Sequence, residues 1–244
     1  MTFRKLGTLV LALTIPAVVS SRLAVAQPLY VADDVHQLLA YDAAAGVFTP
    51  IGGPMPVLIG GMGCADPTSA LLYGTDVLNP VGIYSIDSNT ATISLLTNVT
   101  GHTAVGSTVG PDGNVWAIVS DPSGLLYEVD PFTPTVTDIG ATGFSNEGQP
   151  SFDADGNLYT FMVGASSDVL YQLDPGTAAP TAIGDVGFRV YAAAFCNGTL
   201  YAFTGPPSPR AIIAIDPTTG MGTQIDTIGP PVNGSIEATA CCTP

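Results

Sequence analysis

The sequence predicts an all-β fold, a five-bladed β-propeller of four-stranded antiparallel blades whose N- and C-terminal strands share one blade. Three observations predict it. A hydrophobic–aromatic pair recurs at Leu29-Tyr30, Leu72-Tyr73, Val115-Trp116, Leu158-Tyr159 and Leu200-Tyr201, with the aromatic residues 43, 43, 43 and 42 positions apart. A second marker, an aspartate ending the next strand, recurs with nearly the same period at Asp42, Asp87, Asp130, Asp174 and Asp216. The chain is also rich in turn formers, with 28 Gly and 21 Pro in 244 residues, and poor in charged helix formers. Four short strands per 40–45 residues is the period of a propeller blade.

The fourth repeat shows how each element follows from its residues. Residues 147–153 read as a first strand, and Asp155-Gly156-Asn157 turns the chain. Leu158 to Val163 is a second strand, and Val169 to Leu173 alternates as a third. Asp174-Pro175-Gly176 turns again, and Thr181-Ala182-Ile183 forms a fourth. Asn and Gly tolerate the positive φ that hairpin turns need. The repeat aspartates read as turn caps, because a carboxylate can accept backbone N–H groups two residues on.

The ends of the chain fit a closed ring. Beyond residue 26 the sequence starts at the second strand of a blade, Leu29-Tyr30. It finishes on residues 233–240, which match the first strand of a blade. Together the two ends complete one sheet.

Residues 1–26 read as a secretory signal peptide. Arg4 and Lys5 precede an apolar run from Leu6 to Val19, and Ala24-Val25-Ala26 offers a small-x-small cleavage site. The run is too short to span a bilayer and contains Pro16. The propeller then occupies 27–244, as a secreted protein, extracellular or periplasmic. Removing the signal leaves Arg189 and Arg210 against 20 acids, a net charge of −18 with no lysine. Such a surface repels phosphate backbones, so no nucleic acid partner is expected. Anionic membranes are disfavoured likewise, and no membrane span is expected. The partners that remain are a glycan, a peptide or another extracellular protein, and the chain is expected to be a monomer.

The residues Leu158-Tyr159, Tyr171 to Pro175 and Ile215-Asp216-Pro217-Thr218-Thr219-Gly220 resemble secreted bacterial propeller repeats of the NHL, YVTN and gluconolactonase-like kinds. The resemblance implies the propeller fold over the mature chain. The gluconolactonase-like enzymes use a metal held by a glutamate near the start of the domain. Here no glutamate precedes Glu128, so their chemistry is not carried over.

Four cysteines follow the signal: Cys64, Cys196, Cys241 and Cys242. Four cysteines allow three connectivities, and their spacing fits no zinc motif. All four map to innermost strands. Cys241 and Cys242 fall in the closing blade, Cys64 in the next and Cys196 in the preceding one. Adjacent strand residues point to opposite faces of a sheet. The C-terminal pair is therefore expected to reach toward Cys64 and Cys196 and staple the ring closed.

Catalytic patterns are weak. Only His36 and His102 could serve a Ser-His-Asp system, and there is no G-x-S-x-G. Gly60-Gly61-Met62-Gly63 opens no helix, so it is a poor phosphate cradle. Asp153-Ala154-Asp155-Gly156 has the start of a calcium loop without its closing glutamate. Asp33 and Asp76, each three residues past a repeat tyrosine, suggest an acidic rim. Aligning the inner strands places His102, Glu147, Arg189, Asn233 and Glu237 around the mouth of the axial channel. Glu147 and Arg189 lie 12 residues before their aromatics and read as a pair in adjacent blades. The loops on that face vary between repeats and include Gly205-Pro206-Pro207; variable loops on a rigid scaffold carry function.

The sequence thus points to a non-enzymatic extracellular binding propeller that uses the axial mouth, with no cofactor expected. One alternative is a carbohydrate-active hydrolase or lyase using Glu147 and Glu237 as its paired carboxylates. Another is a calcium-stabilised scaffold.

Overall fold

The structure, a computed structural model, describes residues 29–66, 68, 70–99, 103–120, 123–133, 135–144 and 148–242. The signal sequence lies outside the described residues, as do His102 and Glu147. The described residues form twenty strands in five four-stranded antiparallel sheets. The first blade joins the chain ends: β20 (Ile236–Cys241), β1 (Leu29–Asp33), β2 (Leu38–Asp42) and β3 (Val47–Ile51). The second is β4 (Ile59–Asp66), β5 (Leu71–Asp76), β6 (Val81–Asp87) and β7 (Ile93–Val99). The third is β8 (Thr103–Val109), β9 (Val115–Ser120), β10 (Leu125–Asp130) and β11 (Thr135–Ala141). The fourth is β12 (Ser151–Phe152), β13 (Leu158–Val163), β14 (Asp168–Leu173) and β15 (Pro180–Asp185). The fifth is β16 (Val190–Cys196), β17 (Thr199–Thr204), β18 (Ala211–Ile215) and β19 (Gly222–Thr227).

The innermost strands β20, β4, β8, β12 and β16 touch in that order around a common axis. Ring closure is as expected: Tyr30 pairs with Ala240 and Ala32 with Ala238. Both repeat markers have physical roles. The first member of each pair, Leu29, Leu72, Val115, Leu158 or Leu200, is buried. Each repeat aspartate accepts, through Oδ1, the N–H two residues on. The donors are Ala44 (2.9 Å), Asn89 (2.8 Å), Phe132 (2.8 Å), Gly176 (2.7 Å) and Thr218 (2.8 Å). These carboxylates are turn caps.

Each blade buries both faces, and an apolar cluster fills each interface between neighbours. Leu39, Tyr41 and Phe48 of the first blade pack on Phe203 and Ile212 of the fifth. Their strand neighbour Leu38 faces the other way, onto Met62 and Leu72 of the second. Trp116 and Leu126 meet Leu158 and Leu173 between the third and fourth blades. Period-2 alternation thus divides each strand between two interfaces.

Close approach of the inner strands requires small residues. A Cβ on Gly61 would lie 1.9 Å from the Ser107 backbone nitrogen, and one on Gly63 would lie 2.2 Å from that of Val109. The glycine-rich run at 60–63 is therefore the contact of β4 with β8. The cysteines form two inter-blade disulfides, Cys64–Cys242 with Cα atoms 5.1 Å apart and Cys196–Cys241 at 5.4 Å. Each fastens β20 to a different neighbour.

One strand differs from expectation. The first strand of the fourth blade, read over 147–153, is reduced to Ser151–Phe152. Pro150 has no N–H to give a ladder, and the Gln149 side chain points across the axis instead. Its amide nitrogen donates to the carbonyls of Met62 (2.7 Å) and Thr239, and its Oε1 accepts the Thr239 N–H at 2.9 Å. Gln149 is buried and ties β12 to β4 and β20.

Candidate functional site at the axial mouth

Two cavities lie along the axis, one on each side of Gln149. The larger, about 570 Å³, is lined by the starts of the inner strands: Gly60 on β4, Ala104 on β8, Gly148 before β12, Val190 on β16 and Glu237 on β20. Val77, Val163, Tyr191, Pro206 and Pro207 add its walls. The smaller, about 250 Å³, is lined from the other ends of those strands and includes Cys64 and Cys241. Met62 and Thr239, which bind Gln149, also line the smaller cavity.

Of the expected mouth residues, the structure brings Arg189 and Glu237 into the larger cavity. Asn233 lies in the exposed loop before β20, outside the lining. The expected pairing of Arg189 with Glu147 falls outside the described residues. The Arg189 guanidinium makes an ion pair with Asp168, Nη1 to Oδ1 at 2.9 Å. Its other terminal nitrogen donates to the Gly164 carbonyl at 3.3 Å. Asp168 is fully buried, and its second oxygen accepts the Val190 N–H at 2.8 Å. Asp168 sits at the start of β14, where nothing in its sequence neighbourhood separates it from loop residues.

Glu237 is the second residue of β20 and is half-buried. Burial, reinforced by the charge of Asp34, holds its carboxyl above the usual glutamate range, against a smaller lowering by the Ser235 hydroxyl. Ser235 Oγ lies within hydrogen-bond distance of Glu237 Oε1 and 3.3 Å from Asp34 Oδ2. The Tyr191 hydroxyl donates to the Pro206 carbonyl at 3.2 Å. Its ring covers Gly205, where a Cβ would lie 2.8 Å from Tyr191 Cε2.

The acidic rim does not form. Asp33 and Asp76 are both buried. Asp76 accepts the Gly82 N–H at 2.9 Å through Oδ1 and the Tyr84 hydroxyl at 3.0 Å through Oδ2. Asp33 accepts the Gln37 N–H at 2.8 Å. Its other oxygen has no hydrogen-bond partner among the described residues, because Leu39 stands where the second blade has Tyr84. Burial accordingly raises the Asp33 pKa. The Asp153 loop closes as a hairpin, with Asp153 accepting the N–H groups of Asp155 and Asn157. Among the described residues no three His, Cys, Asp or Glu side chains gather as a metal site.

No family model matches the sequence, and no curated protein matches it. Solved structures do match the fold. A chain of a nidogen/laminin complex is 11% identical, with a TM-score of 0.66 over 89% of this chain and 98% of its own. A calcium-binding protein, regucalcin, from Agrobacterium tumefaciens is 17% identical, with a TM-score of 0.51 over 84% and 70%. A luciferin-regenerating enzyme is 14% identical, with a TM-score of 0.55 over 84% and 74%. The likeness is one of fold: this chain is a β-propeller. Structures of that fold include binding, calcium-binding and enzymatic proteins, and fold alone does not choose among them.

Proposed function

We propose that this protein is a secreted binding propeller without catalysis of its own, holding its ligand in the axial cavity that Glu237 and Arg189 line. The observation that carries this reading is the cavity itself. About 570 Å³ is assembled from the starts of the five inner strands. That volume suits a small ligand or one side chain of a larger partner. The lining is mostly Gly, Ala, Val and Pro, with a few polar groups, which suits recognition better than acid–base work. Arg189 is already neutralised by Asp168, so the described residues place one ligand-facing carboxylate here, that of Glu237.

Two disulfides suit an oxidising compartment. No described helix is long and apolar enough to cross a membrane. The proline-rich loop 205–209 beside the cavity would extend the contact to a peptide or protein partner. The test is a calorimetric screen of glycans, peptides and extracellular proteins, repeated with Tyr191→Ala. A ligand whose affinity falls with that substitution supports the cavity as the site. Ligands that bind the variant as well as the wild type would count against it.

A further inference from the structure

We propose that the axial cavity recognises an organic cation, an alkylammonium group seated against Glu237. This rests on the cavity being the binding site and adds the chemical class of its ligand. Three features of the lining lead there.

The first is the balance of hydrogen-bond donors. Ser235 has one hydroxyl proton, yet its oxygen lies between two carboxylates, Glu237 and Asp34. A hydroxyl can donate to only one acceptor at a time. The hydroxyl lies much nearer Glu237 and serves one oxygen of that carboxylate, which can accept at its other oxygen as well; an ammonium brings three donors.

The second is charge. The lining carries the carboxylate of Glu237 and the guanidinium of Arg189, which is already paired with buried Asp168, while exposed Asp34 lies 3.3 Å from Ser235 Oγ. Arg210 donates to the carbonyls of Val232 and Gly234 and is not part of the lining. The local excess is negative, and the chain beyond residue 26 carries −18 overall. That field steers cations toward the mouth. Burial and the charge of Asp34 raise Glu237 above the usual glutamate range; a cation bound beside it favours the ionised form.

The third is the shape of the apolar wall. Tyr191 and the adjoining Pro206-Pro207 form one side, with Val77 and Val163 also in the lining. A methylene stem packs on such a wall while its charged head reaches a polar group, and an aromatic face attracts an ammonium. A neutral sugar would need several unengaged polar side chains. The Tyr191 hydroxyl is already bonded to Pro206, and Arg189 to Asp168 and Gly164.

A free polyamine and a lysine borne by a peptide present the same group. Titration calorimetry at about 0.15 M salt, where surface charge is well screened, separates them. The probes are spermidine, a pentalysine peptide and the same peptide acetylated on every side chain. At least one amine is expected to saturate at one site while the acetylated peptide gives no heat; spermidine binding marks a free amine, and binding by the peptide alone marks a lysine side chain. Glu237→Gln should weaken the amine by about tenfold, equivalent to about 1.4 kcal/mol. Asp138→Asn, on the exposed edge strand β11, should leave it within about twofold. Equal weakening by the two variants, or none by Glu237→Gln, overturns the proposal as diffuse attraction. Calcium chloride alone binding with the same Glu237 dependence also overturns it. A neutral glycan that needs Tyr191 and ignores Glu237→Gln overturns the cation and leaves the cavity reading standing. Ligands indifferent to Tyr191→Ala overturn both.

Discussion

The Arg189 guanidinium lies 2.9 Å from the carboxylate of Asp168, one residue at the wall of the axial cavity and the other wholly buried behind it. Asp168 in turn holds the Val190 N–H at the start of the inner strand. Removing the arginine would leave a buried carboxylate without its countercharge, a loss of about 3–5 kcal/mol in such pairs. Arg189→Ala is therefore expected to lower stability by about that amount in urea unfolding. A double variant, Arg189→Met with Asp168→Asn, should recover part of it.

Gln149 should behave as a core residue despite its polarity. Its amide meets Met62 and Thr239 at the axis, and alanine would strand the Thr239 N–H. Each buried group left unpaired costs about 1–3 kcal/mol. Gln149→Ala should lower the melting temperature by several degrees, at about 2–4 °C per kcal/mol for a chain of this size. Hydrogen exchange at the Thr239 amide should quicken along with it.

The two disulfides should contribute unequally. Cys64–Cys242 closes a separation of 178 residues and Cys196–Cys241 one of 45. Typical bridges are worth about 2–4 kcal/mol, more for longer loops in the chain-entropy account. Replacing Cys64 and Cys242 together by alanine is expected to destabilise more than replacing Cys196 and Cys241. Denaturant midpoints of the two double variants would measure the difference.

The acids should respond to pH in opposite directions. Burial and Asp34 raise Glu237, so between its ordinary value near 4.5 and its raised one the folded chain keeps a proton that the unfolded chain has released. Stability from this group is full in acid and lost as pH rises through that window. Glu237→Gln should remove the decline. Asp130 and Asp216 are held below the usual aspartate range, chiefly by the Thr133 and Thr218 hydroxyls. Their support is full above the unfolded aspartate value and is lost as pH falls through the lowered one. Melting curves against pH for Glu237→Gln and Asp216→Asn should diverge on opposite sides of that range.

What the sequence disclosed, and what it hid, follows from where each signal resides. The Leu-Tyr pairs and turn aspartates repeat because every blade needs the same buried side chain and the same cap. Their period therefore gave the blade count and the closing strand. That Cys241 and Cys242 reach toward Cys64 and Cys196 was legible because neighbouring strand residues face opposite blades; which takes which was not. Arg189 could be placed at the mouth by counting from its aromatic, and Glu237 by aligning the closing blade's inner strand. Their partners could not, since Asp168 reaches Arg189 from another blade and Ser235 links Glu237 to Asp34 across the chain ends. Gln149 was hidden for a related reason: it occupies a position where other blades keep small residues. The only local hint was Pro150 interrupting its strand. Asp33 and Asp76 looked equivalent, and the difference between Leu39 and Tyr84 on the neighbouring strand decides which of them is satisfied.

Because Leu29 pairs with Cys241, the earliest blade to be synthesised is the last to be finished. Until residues 236–242 emerge, that blade has no innermost strand, the axial cavity has no Glu237, and neither disulfide can form. A chain lacking those residues would carry Cys64 and Cys196 as two unpaired thiols and leave an open seam beside β1.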